Sequence, residues 1–391
     1  MKLAVVGFGN AGGKVLDELL AFEDDTGRAM VSAALAINSA KVDLARLERV
    51  PDSYRVLVGQ ADGRVKGHGV GSDPDLGASI TEADMHEIDR ALDQVPLYEI
   101  DAFLVIAGLG GGTGSGGAPK LTKHLREIYE EPVYGLGILP SEDEGGRAAL
   151  NAARSLRSFT EAASNLILFD NAAWRGGSDS IESGYDRTNR EMVTRLATLL
   201  SAGEVDGSTL SENAMDASDI RRTLATGGVS SIAYAEARLE AETRRQQGLL
   251  GSLRSNQAGN GADGATKVSG LIRQAVQSRL TCSADVSSVE RSLIVLSGPP
   301  GEFSRKGLES GRRWLEEETG SVEVLAGDDP RRNADRLSVA ILLSNPTRVP
   351  RLEQIQQQAV AAQDRIEEQS RDRDQAIRTL ITDDGDRLDP L

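Results

Sequence analysis

The chain has 391 residues, 39% hydrophobic and 27% charged, which is enough for two domains with real cores and too apolar for a disordered chain. Its formal net charge of −16, from 60 acidic and 44 basic residues, repels nucleic acid and anionic membranes over most of the surface. A single cysteine, Cys282, excludes an internal disulfide and a multi-cysteine zinc site, and three histidines leave little room for histidine-centred catalysis.

Only eight of the basic residues are lysines, and the acids are dense. A surface hydrated in concentrated salt has this composition, although a GC-rich genome also favours arginine. No apolar run approaches the roughly 18–20 residues of a membrane span. Met1-Lys2 leads at once into Leu-Ala-Val-Val-Gly, with no room for a signal peptide. The expectation is a soluble cytoplasmic protein that does not insert into membranes. Cys282 reads as a small buried hydrophobe.

In chain order, short apolar runs at 3–6, 33–37, 54–58, 102–107, 133–138 and 166–169 alternate with helix-like segments. That is the signature of βαβ units and a parallel sheet, whose carboxyl edge is where ligands bind. An amphipathic helix spans 185–201, with Met192, Val193, Leu196, Leu199 and Leu200 on one side and Gly203 as its stop. Another helix begins near Ala217. Residues 248–264, rich in Gly, Ser, Asn and Gln, read as a mobile loop. Strands at 293–297, 322–325 and 338–343 surround a helix at 305–318. A last helix from Arg351 carries Leu352, Ile355, Ala359, Ala362 and Ile366 as one stripe. The predicted architecture is α/β: a Rossmann-like domain at 1–203 with a core helix at 185–203, a smaller α+β domain at 204–366, and a charged tail at 367–391.

Two glycine signals compete. Gly7-Phe8-Gly9-Asn10-Ala11-Gly12 is a literal G-x-G-x-x-G after the first strand, which points to a dinucleotide site. Such a site wants an acid at the end of the second strand, and here that strand ends Ile37-Asn38-Ser39. A Walker-A loop fails too, because Val15 follows Lys14. The sharper signal is 110–117, Gly-Gly-Gly-Thr-Gly-Ser-Gly-Gly, between a buried strand and a helix predicted over 118–129. Six of these eight residues lack a β-carbon, so successive N–H groups can form a concave anion nest at a positive helix end.

Gly-Gly-Gly-Thr-Gly-Ser-Gly resembles the signature loop of the tubulin/FtsZ superfamily, and the remaining loops follow in order. Gly9, Asn10, Ala11, Gly12, Gly13 and Lys14 resemble the family's first phosphate loop, Asn38-Ser39 its second, and residues 69–74 its third, which senses the γ-phosphate. Residues 140–145 resemble the ribose loop, with Glu144 as the ribose-binding acid. Asp170-Asn171 resembles the sixth loop, whose Asn171 would bond the guanine. The resemblance covers about residues 3–366. It implies binding of GTP and GDP with Mg²⁺ held by phosphates and water, phosphate contacts from Gly110, Gly111, Gly112, Thr113 and Gly114, and head-to-tail filaments of the chain with itself.

Tyr185 and Asn189 share one face of the core helix, where a ring can stack on a purine and an amide can read its edge. In isolation such a pair is more often a packing residue and a cap; the family carries a Tyr and an Asn at this spacing against guanine. Asp216 and Asp219 likewise read as helix caps. The resemblance makes residues 211–219 the synergy loop, which meets the next subunit's nucleotide, so that these two acids would complete a GTPase in trans. Lys14 and Asn10 depart from the usual first loop, and Asn213 stands three residues before Asp216 where bacterial FtsZ has two. Those departures keep open a regulatory paralogue that binds nucleotide but assembles and hydrolyses poorly. The short acidic end lacks FtsZ's linker and adaptor peptide. That favours the archaeal CetZ family, associated with cell shape, and leaves the tail as a place for a regulatory protein or as solvated chain.

Overall fold

The computed structural model describes residues 1–174, 181–203, 215–239 and 260–383. Ten strands form one sheet in the order β3-β2-β1-β4-β5-β6-β7-β10-β8-β9. The first six, β1 (Leu3–Phe8), β2 (Val31–Asn38), β3 (Arg55–Leu57), β4 (Ala102–Gly108), β5 (Val133–Leu139) and β6 (Asn165–Asp170), all pair in parallel. Both faces of this half are covered, which is why its strands read as unbroken apolar runs. In β1, Leu3 and Val5 enter the core on one face while Ala4, Val6 and Phe8 enter the core on the other.

The helices of this half are α1 (Gly9–Thr26), α2 (Lys41–Ala45), α3 (Pro74–Ala83), α4 (Met85–Leu92), α5 (Thr113–Ile128), α6 (Gly145–Ala162) and α7 (Asn171–Trp174). The core helix is α8 (Ile181–Leu200), about 30 Å long at ~1.5 Å per residue. Its Met192, Val193 and Leu196 pack in one cluster with Leu104 and Ile167 of the first half and Ile232 and Leu342 of the second. That is how it joins them.

The second half holds α9 (Ala217–Leu224), β7 (Val229–Arg238), α10 (Asn260–Gln277), β8 (Arg291–Gly298), α11 (Arg305–Thr319), β9 (Glu323–Pro330), β10 (Arg336–Ser344) and α12 (Pro350–Asp383). Strand β10 runs antiparallel to β7 and β8, and β9 is parallel to β8. The two halves share one sheet, but β6 and β7 meet only through Leu166 with Val229 and Ile167 with Ser230.

Helix α8 begins at Ile181, four residues before the predicted start, and the structure differs from the sequence reading in four further places. Strand β7 was not anticipated. Helix α5 starts at Thr113, inside the glycine loop, rather than at 118. Helix α10 takes over residues 260–264 of the segment read as a loop, whose remainder lies outside the described residues. Helix α12 continues to Asp383, so residues 367–383 of the expected tail are helical. Cys282 is 1% exposed, and burial pushes its thiol up to about 12, which makes it inert at neutral pH. Among the described residues no helix is long and apolar enough to cross a membrane.

Candidate functional site

A cavity of about 450 Å³ opens at the carboxyl edge of the parallel strands, a size in the ordinary range for small-molecule sites. One end is made of main chain. Gly9 has φ +72°, which glycine adopts without strain, and a β-carbon there would stand 2.9 Å from the amide nitrogen of Gly114. The two glycine loops therefore touch, and the first turns of α1 and α5 converge on the same space. Gly9, Asn10, Ala11, Lys14 and residues 110–114 all line it.

The loop before α3 closes this end. Lys66, Gly67, Gly69, Gly71 and Ser72 all have positive φ, and Gly69, Val70, Gly71 and Ser72 face the cavity. Left-handed residues interspersed in a turn can aim neighbouring N–H groups toward one side, the geometry of an anion nest. Asp73 then caps α3 by accepting the N–H groups of Asp75 and Leu76 at 3.0 and 3.1 Å. Helix α3 lies backbone to backbone on α5: a β-carbon on Gly116 would meet the Pro74 carbonyl oxygen at 2.0 Å, and one on Gly77 the Gly112 carbonyl oxygen at 2.5 Å. Asn151, 3% exposed on α6, donates from its amide nitrogen to the carbonyls of Ser72, Gly110 and Gly111 at 3.0, 3.1 and 3.1 Å. It staples the two loops together. Ser39 and Thr113 share a hydroxyl hydrogen bond at 2.6 Å, adding the loop after β2 to the assembly.

The other end carries side chains. Glu144, Asn171, Tyr185 and Asn189 line it, from the turn after β5, the start of α7 and the first turns of α8. Glu144 belongs to a capping box: its Oε1 accepts the Ser141 N–H at 2.8 Å and the Ser141 hydroxyl at 3.0 Å.

Of the residues singled out in the sequence, Gly12 and Gly13 do not line the cavity. A β-carbon on Gly12 would lie 2.1 Å from the Ile106 carbonyl oxygen, so this glycine lets α1 approach β4, and Gly13 faces Leu47. Asp43 and His68 line the cavity and were not anticipated: Asp43 belongs to a connection with no glycine signal of its own, and His68 stands just before the loop read as starting at Gly69. Asn151 was missed as well; it lies mid-helix and touches the loops only through main-chain carbonyls.

Asp216 and Asp219 sit elsewhere. A β-carbon on Gly203 would be 3.0 Å from the Asp216 Cα, so the pair lies just past the far end of α8 from Tyr185. Asp216 Oδ1 accepts the N–H groups of Ser218 and Asp219 at 2.8 and 3.0 Å and the Ser218 hydroxyl at 2.8 Å. The Ser218 hydroxyl is the main reason its carboxyl lies below the usual aspartate value. Among the described residues, Asp219 accepts one long bond, 3.4 Å, from the Asp216 N–H, and burial raises its carboxyl. Residues 211–214 lie outside the described residues.

Comparison with known proteins agrees with this layout. Residues 2–179 match the model of the Tubulin/FtsZ family, GTPase domain, and residues 178–361 that of the tubulin-like CetZ, C-terminal domain. The tubulin-like protein CetZ1 of Haloferax volcanii is 50% identical over 373 residues, 94% of each chain. Two solved structures superpose with a TM-score of 0.82. They are CetZ1 from Haloferax volcanii as a GDP-bound monomer, 47% identical, covering 93% of this chain and 100% of that one, and CetZ2 from the same organism as a GTPγS-bound protofilament, 38% identical, covering 94% and 100%. A chain matched over nearly its whole length by both domain models and by a half-identical relative is a member of the tubulin/FtsZ superfamily, in its tubulin-like CetZ family.

Proposed function

We propose that the chain is a tubulin-like cytoskeletal GTPase that polymerises head to tail in the cytoplasm and hydrolyses GTP where two subunits meet, in the control of cell shape. The observation that carries it is the separation along α8. Tyr185 and Asn189 face the cavity near one end, and Asp216 lies past the other; Leu200 alone stands about 23 Å beyond Tyr185 at ~1.5 Å per residue. Neither aspartate reaches the cavity of its own subunit. A second subunit stacked in the same orientation would bring its pair to the first one's cavity, a heterologous contact that continues into a filament. The GTPγS-bound protofilament of the related CetZ2 supports this arrangement.

In this reading the N–H groups of residues 9–11 and 110–114 hold the phosphates, with Lys14 adding the charge of one ammonium. Glu144 accepts from the ribose hydroxyls, Tyr185 stacks on the purine, and Asn171 and Asn189 read its polar edge. Mg²⁺, held by phosphates and water, would neutralise charge between the terminal phosphates. Asp219, the more basic and less engaged of the two acids, orients the attacking water and takes its proton. Asp216 holds the start of α9 and so fixes where Asp219 points.

GTP hydrolysis per subunit, measured against protein concentration in molar KCl with Mg²⁺, should rise above a critical concentration. A rate independent of concentration would sink hydrolysis between subunits. Tyr185→Ala should weaken GDP binding by roughly tenfold or more, the worth of one stacked base, as read by fluorescent-nucleotide titration.

A further inference from the structure

Arg351 stands at the start of α12, in the second half of the chain, and is 5% exposed. Its guanidinium reaches two loops of the cavity rim. Nε donates to Asp170 Oδ1 at 3.0 Å and Nη2 to the Pro140 carbonyl at 2.9 Å. Pro140 lines the cavity and leads into the turn that carries Glu144. Asp170 precedes Asn171, and the same Oδ1 accepts the Ala172 N–H at 3.2 Å, fixing the first turn of α7. One side chain thus spans the turn at the ribose position and the turn at the base position.

We propose that Arg351 is a positioning residue for the base-and-ribose end of the cavity, and that it couples nucleotide occupancy to the seating of the C-terminal helix. The proposal rests on the guanine-nucleotide reading above. A planar guanidinium with donors in a fixed fork sets the separation of its two acceptors, which a single ammonium cannot do. Without it, Asp170 is a buried charge lacking its counterion and the Pro140 carbonyl loses its donor, so both turns loosen together. The phosphate loops, which Arg351 does not touch, stay in place. In the other direction, a nucleotide bridging Glu144 and Asn171 holds the same separation and keeps Arg351 in its slot. Helix α12 then follows, because it lies along α6, where a β-carbon on Gly146 would meet Ala362 at 2.9 Å.

The test uses the full chain and a fluorescent GDP analogue. Arg351→Met should release the nucleotide roughly tenfold to a hundredfold faster, the effect of losing a hydrogen bond to a charged group, and should lose much of the preference for GDP over ADP. Arg351→Lys should fall between the two, and it carries the comparison if Arg351→Met does not fold. Ile355→Ala is the control for helix stability: this side chain is 1% exposed in the same helix and takes no part in the hydrogen bonds of Arg351. It should lower the melting temperature yet leave release within about twofold of wild type. Hydrogen exchange over residues 350–362 should slow on GDP binding in wild type and not in Arg351→Met. Unchanged release and preference in both Arg351 variants would overturn the proposal, as would Ile355→Ala speeding release to the same degree. A wild-type chain that holds no guanine nucleotide would overturn the functional reading itself, a result visible before any variant is made.

Discussion

Replacing Asp219 with asparagine is expected to cut GTP hydrolysis by roughly 10²–10⁴-fold while GTP stays bound. The two acids of the pair are chemically unequal. Asp216 Oδ1 already takes three donors and its carboxyl is held low, which suits a cap and not a base. Among the described residues Asp219 takes one long bond, and burial raises its carboxyl above the ordinary 3.8. Asparagine keeps the shape and the acceptor for the Asp216 N–H but cannot accept a proton. Because the base must be ionised, wild-type hydrolysis should fall as pH drops through a midpoint above 3.8, the direction in which Asp219 is shifted. Nucleotide binding, on the far side of the same subunit, should not change. Single-turnover hydrolysis and nucleotide titration on the same preparation separate the two; retained hydrolysis in Asp219→Asn would remove this residue from the chemistry.

Gly116→Ala should be among the most damaging single substitutions in the first half. The added methyl would sit 2.0 Å from the Pro74 carbonyl oxygen and 2.8 Å from the Ala78 amide nitrogen, both main-chain atoms that no rotamer change can move. Relief requires α3 to shift off α5, at a cost of about 3 kcal/mol or more. The shift would carry with it the loop of residues 69–72, which α3 anchors through Asp73. GTP affinity should therefore drop along with the melting temperature. Gly111→Ala is the contrast: nothing lies within 4 Å of its added methyl, so stability should stay within about 0.5 kcal/mol while the cavity wall changes. Thermal melts of both variants check the pair; equal stability losses would mean that the packing of α3 on α5 is not what makes Gly116 special.

The parallel half was legible because strands covered on both faces are continuous apolar runs, and all but one end in a loop with a recognisable chemical signature. Strand β7 was not, for a physical reason. Ser230 and Ser231 are buried in it, which breaks the apolar pattern, and they are satisfied by partners distant in sequence. Ser230 donates to Asn165 Oδ1 at 2.7 Å, and Ser231 to the Cys282 carbonyl at 2.7 Å. A one-dimensional pattern cannot show that a buried hydroxyl has a partner waiting. Helix α12 outran its prediction because its apolar stripe stops near Ile366 while the helix goes on as an exposed polar rod. Same-face pairs support it there, such as Gln363 with Glu367 at 2.9 Å. Around the cavity, most residues of the glycine loops line the wall, whereas Asp43 and Asn151 become their neighbours only when separate connections fold together. Gly12 shows the converse: a motif glycine can serve helix–strand packing beside the cavity wall.

If the cavity holds a nucleotide as proposed, the make-up of its phosphate end would bear on binding in concentrated salt. Among the described residues lining it, Lys14 is the only lysine or arginine, and the glycine loops make most of the rest of that wall from main chain. An ammonium on a flexible stem is neutralised by dissolved anions when the screening length shrinks to about 3 Å, as it does near molar ionic strength. Peptide dipoles fixed at contact distance are not exchanged for chloride so readily, and they carry no proton to lose. A chain whose own surface bears −16 charges would thereby keep its grip on a polyanion in a medium where a cluster of arginines would let go.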